Sequence, residues 1–311
     1  MIDPATYPHL ARIARAVVGQ WPEHERFLGQ SLGGRDAALM ASSERHAEAI
    51  LRIVGTEEGL QEHCRDYRFL CDRMIEEEMH FRRSGQYRLS RFEDALAEVY
   101  SNAVFMRRYM NYLLLSHVLW DNHVRAMAHF EDRYLAGLPA GTDHLEIGPG
   151  HGLLLHLACR APAVASVAAW DVSRTSVELA EHCLEAMGDG GRVDLRVQNL
   201  FDAPAAATGA RVFGSVTLSE VLEHLEDPVA ALKAILPRMR PGALLWASVP
   251  INSPAPDHIY LLRSPEEAVE LVRAGGFEPL EWEAYPMTGQ TLERARRLER
   301  TISTVIVARR P

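Results

Sequence analysis

Apolar positions recur at intervals of three and four in the first part of the chain, as in Phe92, Leu96, Val99 and Tyr100, then Met106, Tyr109, Met110, Leu113, Leu114 and Val118. That spacing lays one face of a 3.6-residue helix against a core. Proline agrees with it. None occurs at positions 23–138, so no ring removes a helical N–H or clashes with the preceding turn there. After Pro139 the pattern changes to short apolar runs, predicted as strands over 144–147, 164–170, 193–197, 212–218, 243–249, 279–284 and 301–308. Helical segments fall between them. One follows a glycine turn over 153–159, and one is capped by Ser173 and runs toward Met187. Another starts at Asp227-Pro228, and a fourth opens on the capping box Ser264-Pro265-Glu266-Glu267 and ends at Gly275-Gly276. The expectation is an all-helical region over residues 1–135, followed over 136–311 by an α/β region whose seven-stranded, mainly parallel sheet is doubly wound.

Forty-two acidic against thirty-three basic residues give a formal charge of −9. Nucleic acid and anionic membrane surfaces are bound largely through Lys and Arg, so neither is an expected partner. Cys64, Cys71, Cys159 and Cys183 form no CxxC pair and no zinc spacing, which suits reduced, buried thiols. The first residues lack the apolar core of a signal peptide, and no uncharged apolar run reaches membrane-spanning length. A cytoplasmic protein is expected.

Glu146-Ile147-Gly148-Pro149-Gly150-His151-Gly152 lies between the first predicted strand and the next helical run. Glycines there let the backbone turn sharply and come close to a ligand, while the helix start offers free N–H groups. The following strand ends at Trp170-Asp171, where a carboxylate can accept both hydrogen bonds of a ribose diol. Taken singly, the turn is ordinary loop geometry and Asp171 a helix-capping residue. Together they point to a nucleoside site. The dinucleotide pattern G-x-G-x-x-G would need glycine at Leu153, so a nicotinamide-dependent reductase fits less well.

HLEIGPGHG, AAWDVS, VDLRVQNLFD, VTLSEVLEHLEDP and LPRMRPGALLWASVP, taken in order, resemble the successive motifs of the class I S-adenosylmethionine-dependent methyltransferases over residues 136–311. The resemblance implies S-adenosylmethionine as cofactor. It implies that the backbone of Gly148, Gly150 and Gly152 cradles the methionine part, that Glu146 supports the loop, and that Asp171 binds the ribose hydroxyls. By the same resemblance Val172 packs on adenine, Asn199 and Leu200 lie by the adenine amine, and Leu218 and Ser219 line the methionine end. The family commonly has Asp at the positions of Asn199 and Gly214; Asn still offers an acceptor.

Glu220, Glu223 and His224 are spaced i, i+3, i+4 in SEVLEHLEDP. On a helix all three share one face. Some O-methyltransferases, including those of ubiquinone biosynthesis and the small-RNA 2′-O-methyltransferases, carry a similar E-x-x-E-H that binds a divalent ion, and His258 is the natural fourth ligand. Mg²⁺, Mn²⁺, Fe²⁺ or Zn²⁺ suits such a set. Metal-free relatives have a similar stretch, in which the acids line the site and a histidine orients the acceptor or acts as base, and both readings stand. Either way Glu220, Glu223, His224 and His258 are the catalytic candidates.

The resemblance implies that the helical region covers the acceptor pocket or builds a homodimer interface. Tyr109, Tyr112, His117 and His123 are candidate acceptor contacts, although Met and Leu at helical spacing in that stretch read first as core. The E-x-x-H spacing from Glu77 to His80 is similar to that of di-iron bundles, but an acidic helical run reads first as a solvated face. The expected activity is methyl transfer to oxygen or nitrogen of a small molecule, of the kind found in bacterial specialised metabolism. The alternatives are a methyltransferase acting on protein or RNA, and an idle module that senses S-adenosylmethionine or S-adenosylhomocysteine.

Overall fold

A computed structural model of the chain describes residues 2–202 and 211–311. The first part is helical, as its periodicity predicts: α1 Pro8–Gln20, α2 Glu25–Gly33, α3 Ala37–Val54, α4 Glu57–Ser84, the short α5 Phe92–Ala95, α6 Ala103–Leu119 and α7 Asp121–His129. Side-chain oxygens of Asp36, Thr56 and Asn102 accept backbone N–H groups at the starts of α3, α4 and α6. The apolar repeat from Phe92 to Val118 is not one helix. After α5 the chain opens into a π-helical turn, Leu96–Tyr100, and Asn102 starts a new helix by accepting the N–H of Phe105 at 3.0 Å.

The strands are β1 Thr142–Ile147, β2 Val164–Asp171, β3 Val193–Val197, β4 Phe213–Ser219, β5 Met239–Ile251, β6 Glu278–Pro286 and β7 Ile302–Arg309. They form one sheet in the order β3-β2-β1-β4-β5-β7-β6. The first five are parallel, and β7 runs antiparallel between β5 and β6. Strand β5 starts four residues earlier than its apolar run, because Gly242 at φ +78° lets the chain bulge where the register with β4 shifts. The helices α8 Leu153–Arg160, α9 Arg174–Met187, α10 Pro228–Ile235, α11 Pro265–Ala274 and α12 Leu292–Arg297 complete the fold. Ser173, Asp227 and Ser264 cap α9, α10 and α11 as expected, accepting from Ser176, Ala230 and Glu267.

Two apolar cores flank the sheet. One runs without a break from Leu10, Ile50, Tyr67 and Leu115 of the helical region to Leu155, Trp246 and Val305. The other packs Leu232 and Ile235 of α10 and Val272 of α11 on the opposite face. The acidic run of α4 serves ion pairs: Glu76 with Arg73, Glu77 with Arg88, and Glu78 with Arg82 and Arg300. Among the described residues no helix is long and apolar enough to cross a membrane.

Candidate active site

Strand β1 lies between β2 and β4, so the chain leaves it to opposite sides and a crevice opens beyond the carboxyl ends of these strands. A cavity of about 920 Å³ occupies that crevice and extends under the helical region. The glycine turn forms part of its wall. Gly148, Gly150 and Gly152 have φ of +68°, +53° and +75°, a region that disfavours any residue with a Cβ. A Cβ on Gly148 would sit 3.0 Å from Val221, while Gly150 lies against Met110. Gly152 does not wall the cavity; it precedes α8 and faces Ala180 of α9. Gly148→Ala is therefore expected to cost about 1–2 kcal/mol, read as a lower midpoint in denaturant unfolding.

Glu146 leads into this turn, 1% exposed, with Oε2 lacking a hydrogen-bond partner among the described residues. Burial pushes its carboxyl well above the usual range. At the end of β2, Asp171 accepts the N–H of Ser173 at 2.8 Å. Burial raises its pKa to about 6 against the opposing pull of these backbone hydrogen bonds. Val172 is exposed, Leu200 and Leu218 are buried, and Ser219 is half-buried. Asn199 turns its Oδ1 to the N–H of Phe201 at 2.9 Å. All six of these residues, Asp171 included, wall the cavity with Glu146.

Glu220, Glu223 and His224 do not share a helical face. Glu220 leaves β4 with φ +52°, and Leu222–His224 make a single 3₁₀ turn before Asp227 caps α10. The tight exit from the sheet and the proline at the first position of α10 leave no room for an α-helical turn between them. Glu220 consequently turns back to β5, where Oε1 accepts the Ser248 hydroxyl at 2.6 Å. The groups that converge are Glu223, His224 and His258, whose ligating atoms lie within 4.8 Å of one another. Nδ1 of His224 donates to the Asp257 carbonyl at 3.1 Å and Nδ1 of His258 to the Ser253 carbonyl at 2.6 Å. Those bonds leave both Nε2 lone pairs free, and each Nε2 faces Glu223 Oε1, at 3.7 Å and 3.9 Å. Glu223 is fully buried, and neither of its side-chain oxygens has a hydrogen-bond partner among the described residues. Burial pushes Glu223 well above the usual range and His258 down to about 4.

The far wall belongs to the helical region. Tyr109, Tyr112, His117 and His123 all line the cavity, as do Trp21, Phe27, Leu113 and Trp120. Tyr112 stacks on Tyr109 and Tyr67. Two residues that the sequence did not single out tie this wall to the reactive loop. Asp257, 1% exposed, accepts the hydroxyls of Tyr109 at 2.9 Å and of Tyr100 at 3.1 Å. Its neighbour His258 was a signal for Asp257; Tyr100 is indistinguishable from core in an apolar helical repeat.

Residues 119–300, more than half of the chain, match the methyltransferase domain family. The ubiquinone biosynthesis O-methyltransferase of Xanthomonas axonopodis pv. citri (strain 306) is 37% identical over 117 residues, 38% of this chain and 46% of that protein. The protein of the same name from Xanthomonas euvesicatoria pv. vesicatoria (strain 85-10) is 36% identical over 116 residues, 37% of this chain and 46% of its own. The chain spans about half the length of the curated relatives it matches. Among solved structures, the [4+2]-cyclase SpnF aligns with a TM-score of 0.48 at 19% identity, covering 61% of this chain and 84% of that one. The N-methyltransferase NodS from Bradyrhizobium japonicum WM9, in complex with S-adenosyl-L-homocysteine, aligns at 0.44 and 16% identity, covering 61% and 85%. On the family match, and with the seven-stranded Rossmann-like sheet described above, the chain belongs to the methyltransferase domain family of class I S-adenosylmethionine-dependent methyltransferases.

Proposed function

We propose that the protein moves the methyl group of S-adenosylmethionine to an oxygen of a neutral, largely apolar small molecule held beneath the helical region. One observation carries this reading: a single cavity joins the glycine turn and Asp171 to His224, His258 and a wall of aromatic side chains. The residues present suit the cofactor. Gly148 and Gly150 bring backbone to the cavity edge where a side chain would intrude, and the unpartnered Oε2 of Glu146 suits an ammonium group. Asp171 offers a half-buried carboxylate at the cavity wall to a diol. The name of the matched Xanthomonas relatives supports oxygen as the accepting atom.

The sulfonium is already activated. The protein has to hold acceptor oxygen, methyl carbon and sulfur in line and exclude water while the C–S bond breaks and the O–C bond forms. The hydroxyl proton needs an acceptor, and the Nε2 lone pair of His224 is at the cavity wall to take it. Glu223, His224 and His258 are also a donor set for a divalent cation, since a dry carboxylate without partners lies between two imidazoles whose other nitrogens are committed to carbonyls. Such an ion would lower the pKa of a bound hydroxyl. The helical residues would order the acceptor, with Asp257, Tyr100 and Tyr109 fixing the wall to the reactive loop.

Transfer of a labelled methyl group from S-adenosylmethionine to a panel of alkyl-substituted phenols and catechols, set beside matching amines and run with and without EDTA, tests the reading. Transfer to the hydroxy compounds supports it, and EDTA sensitivity separates cation from base. Exclusive transfer to amines contradicts it.

The raised pKa of Asp171 gives a pH dependence with a definite sign. Ribose hydroxyls donate to the ionised carboxylate, so binding stabilises the deprotonated form. Affinity for S-adenosylhomocysteine is expected to be constant above about pH 7 and to weaken, by up to about tenfold per unit, as pH falls through the Asp171 value of about 6. Calorimetric titrations from pH 5 to 8 check this, and Asp171→Asn should lack the step.

A further inference from the structure

The cavity floor continues along the sheet past the reactive loop. Ser219 at the end of β4 pairs with Ser248 of β5, and Pro250 of β5 pairs with Ser303 of β7. Because β7 is antiparallel, its amino end lies beside the carboxyl ends of β4 and β5, and Arg300 and Thr301 come just before it. All of these residues wall the same cavity as Ile147 of β1 and Asp171 of β2. In strand order the cavity therefore runs β2-β1-β4-β5-β7. Arg300 stands two strand spacings, about 10 Å, beyond the point where Glu220 leaves β4 for the reactive turn.

The stretch between is apolar. Cys71, Met74, Ile75 and Glu78 of α4 face the cavity at the i, i+3, i+4, i+7 spacing of one helical stripe, which is about 10 Å long at the helical rise. Met287, whose N–H is donated to the Thr301 carbonyl, lines the cavity beside Arg300. At the end of the stripe Glu78 meets Arg300 in an ion pair, with 29% and 40% of their side chains exposed.

Arg300 is the sole Lys or Arg among the described residues of the wall. Its Nη1 donates to Glu78, while Nε and Nη2 have no partner among the described residues. Arg82, the other partner of Glu78, is committed to the carbonyls of Leu298 and Glu299. Glu78 thus balances the charge of Arg300 and leaves donors unused. The wall as a whole carries the carboxyl groups of Glu78, Glu146, Asp171, Glu220 and Asp257 against this single guanidinium. An anion gains little in that field, whereas an uncharged oxygen gains a charge-assisted hydrogen bond.

We propose that Arg300 is a specificity-determining residue at the far end of the acceptor site. It binds an uncharged oxygen, carbonyl or hydroxyl, at the tip of an apolar arm about 10 Å from the hydroxyl that is methylated. The acceptor is then an elongated molecule, polar at both ends and apolar between them. This deepens the O-methylation reading above and rests on it.

Catechols carrying a saturated chain that ends in a methyl ketone, set beside equally long chains that end in alkyl or in a carboxylate, test it. With the parent protein the ketone is expected to exceed the alkyl compound in kcat/KM by about tenfold, chiefly through KM, as for one hydrogen bond to a charged group. The preference should peak at one chain length. Arg300→Leu is expected to bring the ratio to about one, with kcat/KM for the alkyl compound kept within about twofold. Arg300→Gln keeps an N–H donor and should retain part of the preference. The chain-length dependence needs no variant and decides the matter if neither folds. A parent that does not distinguish ketone from alkyl, a preference equal at every chain length or surviving Arg300→Leu, or a carboxylate tail preferred to the ketone overturns the subsite. A parent that methylates none of the compounds overturns the O-methylation reading, and the subsite with it.

Discussion

Asp171→Ala is expected to weaken S-adenosylhomocysteine binding by about 100-fold or more while leaving thermal stability unchanged or slightly raised. Two hydrogen bonds from a ribose diol to a carboxylate are charge-assisted, each worth about 1.5–3 kcal/mol, and no other carboxylate at the end of β2 replaces them. Stability behaves differently because Asp171 has no salt bridge among the described residues. Its main influence is burial, which disfavours the ionised form, and its hydrogen-bond partner is the local N–H of Ser173. Calorimetric titration and a thermal melt of the same preparation check both halves. A variant that loses binding and stability together would show that Asp171 holds the turn and not the ligand.

The second large effect is expected at Glu223. Glu223→Gln should lower methyl transfer to a responsive phenol or catechol by about 10²–10⁴-fold, the range for loss of general-base or cation assistance, with S-adenosylhomocysteine affinity unchanged. Glu223 is not itself part of the cavity wall and touches the site through His224 and His258. If the three groups hold a cation, bound Mn²⁺ or Zn²⁺, measured by elemental analysis after dialysis, should fall in parallel. A module that only senses the cofactor has no use for this convergence, so turnover that is absent in the parent on every acceptor would favour the sensor.

The sheet and the placing of the glycine turn and Asp171 on one cavity were legible because they depend on local rules. A glycine turn joining strand to helix, and an acid at the next strand's carboxyl end, are read from residue types at fixed offsets, and the Ser173, Asp227 and Ser264 caps are equally local. The reactive end was legible as residues and not as geometry. Its spacing suggests a helical face, yet Glu220 adopts φ +52° and turns away to Ser248, and convergence comes instead from the loop that brings His258 beside Glu223. Glu223 receives the N–H groups of Ile259 and Tyr260 on its backbone carbonyl, a long-range pairing that no local pattern announces. Tyr100 and Asp257 were hidden for the same reason: one sits in an apolar repeat broken by a π-helical turn, and their hydrogen bond spans 157 residues of sequence.

The most direct measurement is a crystal structure with S-adenosylhomocysteine bound. The ribose hydroxyls should lie on Asp171, the amino-acid end should lie along Gly148 and Gly150, and the sulfur should face the side of the cavity walled by His224 and His258. A nucleoside lodged elsewhere, or a sulfur directed away from those histidines, would contradict the assignment of this crevice to methyl transfer.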